Sequence, residues 1–184
     1  MTTEARSFLP HGRELTRADL DRLPDDGHRY ELIDGVLVVT PAPRISHQAI
    51  AGNLYLLLRV AAPAGLAVLF APVDVVLAEN TVLQPDLVVA PKDAFTEREL
   101  PVAPLLAVEV LSPSTRGIDL LLKKERLERA GCQHYWVVDP ELPSITAWRL
   151  TDGTYQQVAQ VVGAESFEVD APFAVRFAPA SLVG

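Results

Sequence analysis

Apolar residues along this chain fall into short runs, most of them alternating or continuous over a strand's length, with three stretches whose spacing is helical. Thr16 is placed to cap a short helix, with Asp19 three residues on and Leu15, Leu20 and Leu23 as its contacts. Residues 29–33 and 36–39 are two β-prone runs joined by Asp34-Gly35, the strongest short hairpin signal. By the period of two, Arg29, Glu31 and Ile33 share one face of the first strand. Pro41 and Pro43 end the hairpin. Ser46 then predicts a helix cap, with Ile45 and Ile50 as its hydrophobic staple. The helix over 47–62 carries its main stripe at Ile50, Leu54, Leu57 and Leu58, widened by Ala51 and Tyr55.

Two short strands follow at 66–71 and 73–77, separated by Pro72, and another over 87–89 after Pro85-Asp86. Residues 91–104 read as a polar loop. The run at 105–111 is apolar on both faces except at Glu109, which is the pattern of a strand buried on both sides. A helix over 117–130 has Asp119 in its first turn, a Glu125–Arg129 pair four residues apart, and Gly131 at its C-terminal stop. A strand over 134–139 comes next. Residues 144–150 and 154–162 form a hairpin around Asp152-Gly153, and 173–177 is a last short strand. The order of helices and strands predicts an α/β fold, a mixed β-sheet flanked by helices. The helices over 47–62 and 117–130 are expected on opposite sides of the sheet, or the second at its edge.

Composition narrows the class. The chain has 184 residues, 49% of them hydrophobic, which suits one domain over 1–184. Within it, 1–13 reads as a loose arm, 16–150 as the core and 151–184 as a C-terminal β-hairpin extension for capping or oligomer contacts. Sixteen basic against 24 acidic residues leave a formal charge of −8, which argues against attachment to nucleic acid by bulk charge alone. A local basic patch or bound metal ions remain compatible with a nucleic-acid substrate. Cys132 is the single cysteine, so the chain forms no internal disulfide, as in a reducing compartment. No signal-peptide pattern and no apolar run of about 20 residues is present, so a cytoplasmic protein without a membrane span is expected.

Candidate chemistry concentrates between Pro85 and Asp139. Carboxylates at strand positions are costly to bury unless paired or bound to a cation. Asp86 and Glu109 lie in neighbouring strand-like runs, and Lys123 lies on the helix that follows. Mg²⁺ takes oxygen ligands, commonly one or two carboxylates with water and substrate phosphates. Asp86, Glu109 and the Val110 carbonyl are therefore the metal candidates, with Glu31 as an outer ligand or a water-positioning group. Lys123 would orient water or stabilise developing charge. Each has an alternative: Asp86 as a strand start, Glu109 as one half of a buried ion pair, Lys123 paired with Asp119, and Glu31 paired with Arg29. His47 reads either as a histidine bonded to backbone or as a substrate-phosphate contact. Lys124, with Glu128 four residues on, reads as a surface lysine.

The chain resembles the Uma-two family of endonucleases within the PD-(D/E)XK nuclease superfamily. The matching text is Arg29-Tyr30-Glu31-Leu32-Ile33-Asp34-Gly35, His47, Gln84-Pro85-Asp86-Leu87, Glu109-Val110-Leu111-Ser112-Pro113-Ser114, Asp119 with Lys123, Gly131, and Tyr135-Trp136-Val137-Val138-Asp139-Pro140. It covers 16–150. The resemblance implies a restriction-endonuclease-like fold and Mg²⁺- or Mn²⁺-dependent cleavage of DNA. Carried over by position, Asp86 and Glu109 are the metal-binding acids, Glu31 is the acid on the hairpin, and Lys123 is the catalytic lysine. Two positions depart from the pattern. Leu111 stands where the superfamily has its lysine, and Leu127 stands where the family often has tyrosine. His47, Arg116 and Asp119 are support or substrate-phosphate candidates. Arg44, Arg59, Arg116, Lys123 and Lys124 are candidates for a basic approach surface.

Three functions compete at this stage: a DNA endonuclease acting as a homodimer, a catalytically silent binding or regulatory module, and a metal phosphoesterase acting on a small nucleotide. The acid–lysine set favours the two enzymes, and the negative charge favours the last two.

Overall fold

The computed structural model describes residues 12–183. Most of the arm expected over 1–13 lies outside the described residues. The elements in chain order are α1 (Arg17–Leu20), β1 (Arg29–Ile33), β2 (Val36–Thr40), α2 (Ile45–Ala61), β3 (Leu66–Phe70), β4 (Asp74–Ala78), β5 (Thr81–Leu83), β6 (Leu87–Pro91), β7 (Glu99–Leu100), β8 (Leu106–Val110), α3 (Lys124–Arg129), β9 (His134–Asp139), β10 (Ser144–Thr151), β11 (Thr154–Val162), β12 (Phe167–Val169) and β13 (Val175–Phe177). A π-helical segment, Ile118–Lys123, leads directly into α3.

The turn chemistry is as the sequence dictates. Asp34 and Gly35 both take positive φ, 51° and 75°, the two-residue hairpin turn whose twist suits the strands. A Cβ on Gly35 would lie 2.6 Å from the Glu14 side chain, so this position is closed to other residues on two counts. At the end of α3, Cys132 N–H donates to the Leu127 carbonyl and Gly131 N–H to that of Glu128. That is the Schellman closure, with Gly131 at φ 85°.

Three of the expected details change. The structure holds not one mixed sheet but two larger sheets and a two-stranded ribbon: β2-β1-β5-β4-β7, β11-β10-β9-β8-β6-β3 and β12-β13. The chain passes between the two larger sheets five times, at β2–β3, β3–β4, β5–β6, β6–β7 and β7–β8, and Pro72 lies at the second passage. The 144–162 hairpin is no appendage, because β10 pairs antiparallel with β9 along six registered positions and extends the main sheet. The segment after it enters the core: Phe167, Phe173, Phe177 and Leu182 pack with Trp136 and α2.

Alternation along β8 sets the layers. Leu106, Val108 and Val110 face Ile50, Leu54 and Leu58 of α2. Ala107 and Leu111 face the other way, with Tyr135, Val137 and Leu127 of α3. The two helices thus cover opposite faces of the six-stranded sheet. Glu109 shares the face of Ala107 and Leu111. Each fully buried leucine contributes roughly 1.5–3 kcal/mol of transfer free energy, so α2 is fixed mainly by Leu54 and Leu58, both without solvent exposure.

The start of one helix and the form of the other differ from expectation. Helix α2 begins at Ile45 with Arg44 at its N-cap and no side-chain cap bond, so Ser46 is not the cap. Ile45 is 89% exposed and makes no staple. The wider π-helical turn carries Asp119 and Lys123 inward and leaves Leu121 and Leu122 outside. Among the described residues no helix is long and apolar enough to cross a membrane.

Candidate active site

Asp86 stands one residue before β6. The β6–β8 ladder pairs Leu87 with Val108 and Val88 with Ala107. One further step of the same register sets Asp86 across from Glu109, on the same face of neighbouring strands. Glu31 arrives from the other sheet, on the inward face of β1, and is buried. Its Oε1 accepts a hydrogen bond from Gln84 N–H at 2.6 Å, which fixes it beside the entry to β6.

Lys123 joins these acids. Its Nζ lies 2.9 Å from Glu31 Oε1, 3.1 Å from Glu109 Oε1 and 3.4 Å from Asp119 Oδ1. Asp119 is held in turn by the Thr115 hydroxyl, which donates to Oδ2 at 2.7 Å, and its carbonyl accepts from the Tyr135 hydroxyl at 2.8 Å. Of the alternatives left open, Glu31 pairs with Lys123 rather than with Arg29. Lys123 pairs with Asp119 but also with two further carboxylates, all buried.

Asp86 has its own set of partners. Arg29 NH1 donates to Oδ1 at 3.0 Å, and Oδ2 receives His47 Nε2 at 3.0 Å and Val110 N–H at 2.8 Å. His47 therefore meets a carboxylate and not backbone. Within a strand the N–H and C=O of one residue point the same way. The Val110 carbonyl therefore faces the β6 side, beyond the last paired residues of that ladder, Leu87 and Val108.

A cavity of about 410 Å³ opens over the cluster. Glu31, Asp86, Glu109 and Lys123 contribute to its lining, with residues 40–44 along one wall and 112–115 along another. Arg116 is elsewhere: it pairs with Asp139 at 2.7 Å on the surface and does not line the cavity. Lys124 does not point into solvent as its spacing predicts. Its Nζ lies over the Trp148 ring, 4.2 Å from the centroid.

The electrostatics separate the two candidate metal acids. Burial pushes the Asp86 carboxyl up, but the His47 contact, the Arg29 charge and the Val110 amide outweigh it and bring the pKa to about 2. Burial raises the Glu109 carboxyl well above the ordinary range; Lys123 opposes this, while Asp119, Asp86 and Glu31 add to it. Asp119 is raised by burial as well, against Lys123 and Thr115. Lys123 is destabilised as a cation by burial, yet Glu109, Glu31 and Asp119 together hold it protonated. Four buried acids thus face two permanent cations, Lys123 and Arg29, and Glu109 carries the surplus.

That surplus is the test of a divalent ion. Among the described residues no three His, Cys, Asp or Glu side chains converge as a ready-made cage. Mg²⁺ does not require one, since it is commonly held by one or two carboxylates with water and substrate phosphates. A buried carboxylate with too little positive charge around it, and Asp86 directly across the ladder, fit such an ion.

Arg29 is the member that sequence reasoning missed in this role. The signal was present, since Arg29 shares a strand face with Glu31. The sequence could not show that the face meets Asp86 from a different sheet. Gln84 and Thr115, which hold Glu31 and Asp119 through one hydrogen bond each, had no sequence signal beyond their proximity to the acids.

Comparison with known proteins bears on the fold and the family. A crystal structure from Anabaena variabilis ATCC 29413, described as "a putative nuclease belonging to DUF820", superposes with a TM-score of 0.73 at 19% identity, over 92% of this chain and 97% of that one. This likeness shows a shared restriction-endonuclease-like fold. No curated protein matches the chain. The family profile described as "Uma2: Putative restriction endonuclease" matches residues 17–180, which takes in both sheets and every residue of the acidic cluster, and the chain belongs to that family.

Proposed function

We propose that this protein is a Mg²⁺- or Mn²⁺-dependent endonuclease that hydrolyses DNA phosphodiester bonds. The observation that carries the reading is the grouping of Glu31, Asp86, Glu109 and Lys123 at an open cavity, with more buried carboxyl groups than permanent cations beside them. Asp86 and Glu109, with the Val110 carbonyl beside them, would hold the ion. Such an ion supplies polarisation of a phosphoryl oxygen and acidification of an attacking water.

The chain's own residues do the rest. Lys123 keeps a positive charge fixed at the cavity, where the cost of orienting it has been met in folding, and directs it at charge developing on the phosphate. Glu31, locked by Gln84 N–H, and Asp119, locked by Thr115, keep the ammonium from rotating away. His47 and the Val110 amide keep Asp86 ionised and in one orientation. Arg44, exposed at the cavity wall, is placed to meet the phosphate backbone.

A homodimer is part of this reading. Ile45, Leu56 and Val60 lie along one side of α2 and are 89%, 61% and 87% exposed, a surface suited to a second copy. Light scattering tests it. The activity is tested by titrating Mg²⁺ and Mn²⁺ against supercoiled, linear and single-stranded DNA. Cleavage that needs the metal and is lost in Glu109→Gln is expected. An inert parent on every substrate would transfer the fold to a silent binding role.

A further inference from the structure

Every oxygen of Asp86 is already engaged, but the two are engaged differently. Oδ2 is held by two groups that belong to fixed elements, the Val110 amide of β8 and His47 of α2. Oδ1 is held by one flexible side chain, Arg29, through NH1 at 3.0 Å. The guanidinium sits within the field of three of the four acids, Asp86, Glu109 and Glu31. It therefore stands where an external cation would be drawn.

Its seat is incomplete. NH2 donates to the Gln84 carbonyl, but Nε is buried with no acceptor. An unmet buried donor costs free energy in this position and lowers the cost of leaving it. The side chain also has a place to go. A second, smaller cavity of about 120 Å³ lies alongside, with Arg29, His47 and Asp86 on one side and Phe70 and Pro72 among its other lining residues. Arg29 lines both cavities.

We infer that Arg29 is a built-in counter-ion that occupies the cation position at Asp86 Oδ1, and that it must release this oxygen and withdraw toward the second cavity for a divalent ion to be held. His47 and Val110 N–H stay on Oδ2 throughout. The inference rests on the metal-dependent reading above and adds a regulation to the same site. Arg29 offsets part of the charge of the acidic cluster while no metal is bound, and it competes with the metal for one oxygen atom. It is a positioning residue, acting through Asp86.

The test is Mn²⁺ binding to the full chain, measured from the loss of the free-ion electron spin resonance signal, without DNA. Removing a competitor tightens binding, by about tenfold for a coupling of ordinary size. Arg29→Met is expected to show that gain, and Arg29→Lys, which keeps the charge, to stay nearer the parent. A structural role alone would make Arg29→Met bind more weakly. Equal or weaker binding by a folded Arg29→Met, with the parent still binding, overturns this inference and leaves the metal reading standing. Absence of binding in both overturns both. Should Arg29→Met not fold, nitrogen-15 spectra of the arginine side chains in the parent decide the matter. The Arg29 guanidinium signal should move and narrow as Mg²⁺ is added. An unmoved signal under saturating, independently measured binding overturns the inference.

Discussion

Lys123 Nζ lies 3.1 Å from Glu109 Oε1, although a loop and a helical turn separate the two residues in the chain. The contact exists because the π-helical turn rotates Lys123 toward β8, and because Glu31 and Asp119 approach the same ammonium from two other elements. A fixed charge aimed at a transition state is typically worth ~3 kcal/mol, about a hundredfold in rate. Lys123→Ala is therefore expected to lose about a hundredfold in DNA cleavage while still binding Mn²⁺. The same change leaves buried acids short of a counter-charge, which costs roughly 3–5 kcal/mol. Thermal melts should show that cost shrinking at low pH, as the acids take up protons. Parent-level cleavage by Lys123→Ala would remove the role assigned to it.

Lys124, its neighbour, is the control. Its ammonium over Trp148 contributes about 0.5–1 kcal/mol, and it touches none of the acids. Lys124→Ala should cut DNA as the parent does and melt slightly lower. A loss of activity comparable with that of Lys123→Ala would mean that the two residues have been assigned the wrong way round.

Glu109 and Asp86 give opposite pH dependences to the metal-free fold. The folded-state pKa of Glu109 is raised, so its contribution is fully present below the ordinary glutamate range and is lost as pH climbs toward the raised value. Asp86 is depressed to about 2, so its contribution is present above the ordinary aspartate range and is lost as pH falls toward 2. In a chelating buffer Glu109→Gln should equal or exceed the parent in stability, with the difference growing by up to ~1.4 kcal/mol per pH unit while Glu109 titrates. Denaturant unfolding from pH 4 to pH 9 reads this. A difference that narrows as pH rises would show that Glu109 is stabilised as an anion.

Much of this site was legible because burying a carboxylate in a strand demands a partner. Glu109 interrupts an apolar run, and Asp86 leads another, so both acids announce themselves from pattern alone. Choosing Lys123 over Lys124 also followed from helical spacing, but the reason was incomplete. Leu121 and Leu122, the apolar neighbours of Lys123 on this segment, are exposed, and the π-helical turn is what brings Lys123 inward. The partners of Asp86 were not legible. Arg29 and His47 reach it from β1 and α2, and such meetings depend on how two sheets stack. Short-range pattern also missed the sheet to which β10 belongs, since a hairpin looks the same whether it stands apart or extends a neighbour.

The segment after β11 looked like a cap and is part of the core. Phe167 has no solvent exposure, and its ring centroid lies 5.1 Å from those of both Trp136 and Phe177. A phenylalanine removed from such a position costs roughly 3–5 kcal/mol. Phe167→Ala should lower stability by that amount in urea unfolding, as a folded protein with a depressed midpoint. Truncation after Val162 should leave α2 uncovered and yield a chain that melts without cooperativity. Wild-type stability in the truncated chain would return this segment to the status of an appendage.

Arg44 and Arg116 test where DNA meets the protein. Both were candidates for a basic approach surface in a chain whose net charge is −8. Arg116 is paired with Asp139 at 2.7 Å and does not line the cavity, so its charge is largely spent at short range. Arg44 is exposed, forms the N-cap of α2 and lines the cavity wall close to His47. A contact to one phosphate releases about one counterion, which appears as a change of about one in the slope of log affinity against log salt. Binding should be measured in Ca²⁺, where cleavage is expected to stall, across a range of salt. Arg44→Ala should weaken affinity for all sequences alike and reduce the slope by about one. Arg116→Ala should change neither by much, and Mn²⁺ affinity without DNA should be the same in both variants and the parent. Equal effects of the two substitutions would place the DNA path away from the 40–44 wall. A drop in Mn²⁺ affinity with Arg44→Ala would instead tie that wall to the metal cluster rather than to the phosphate backbone.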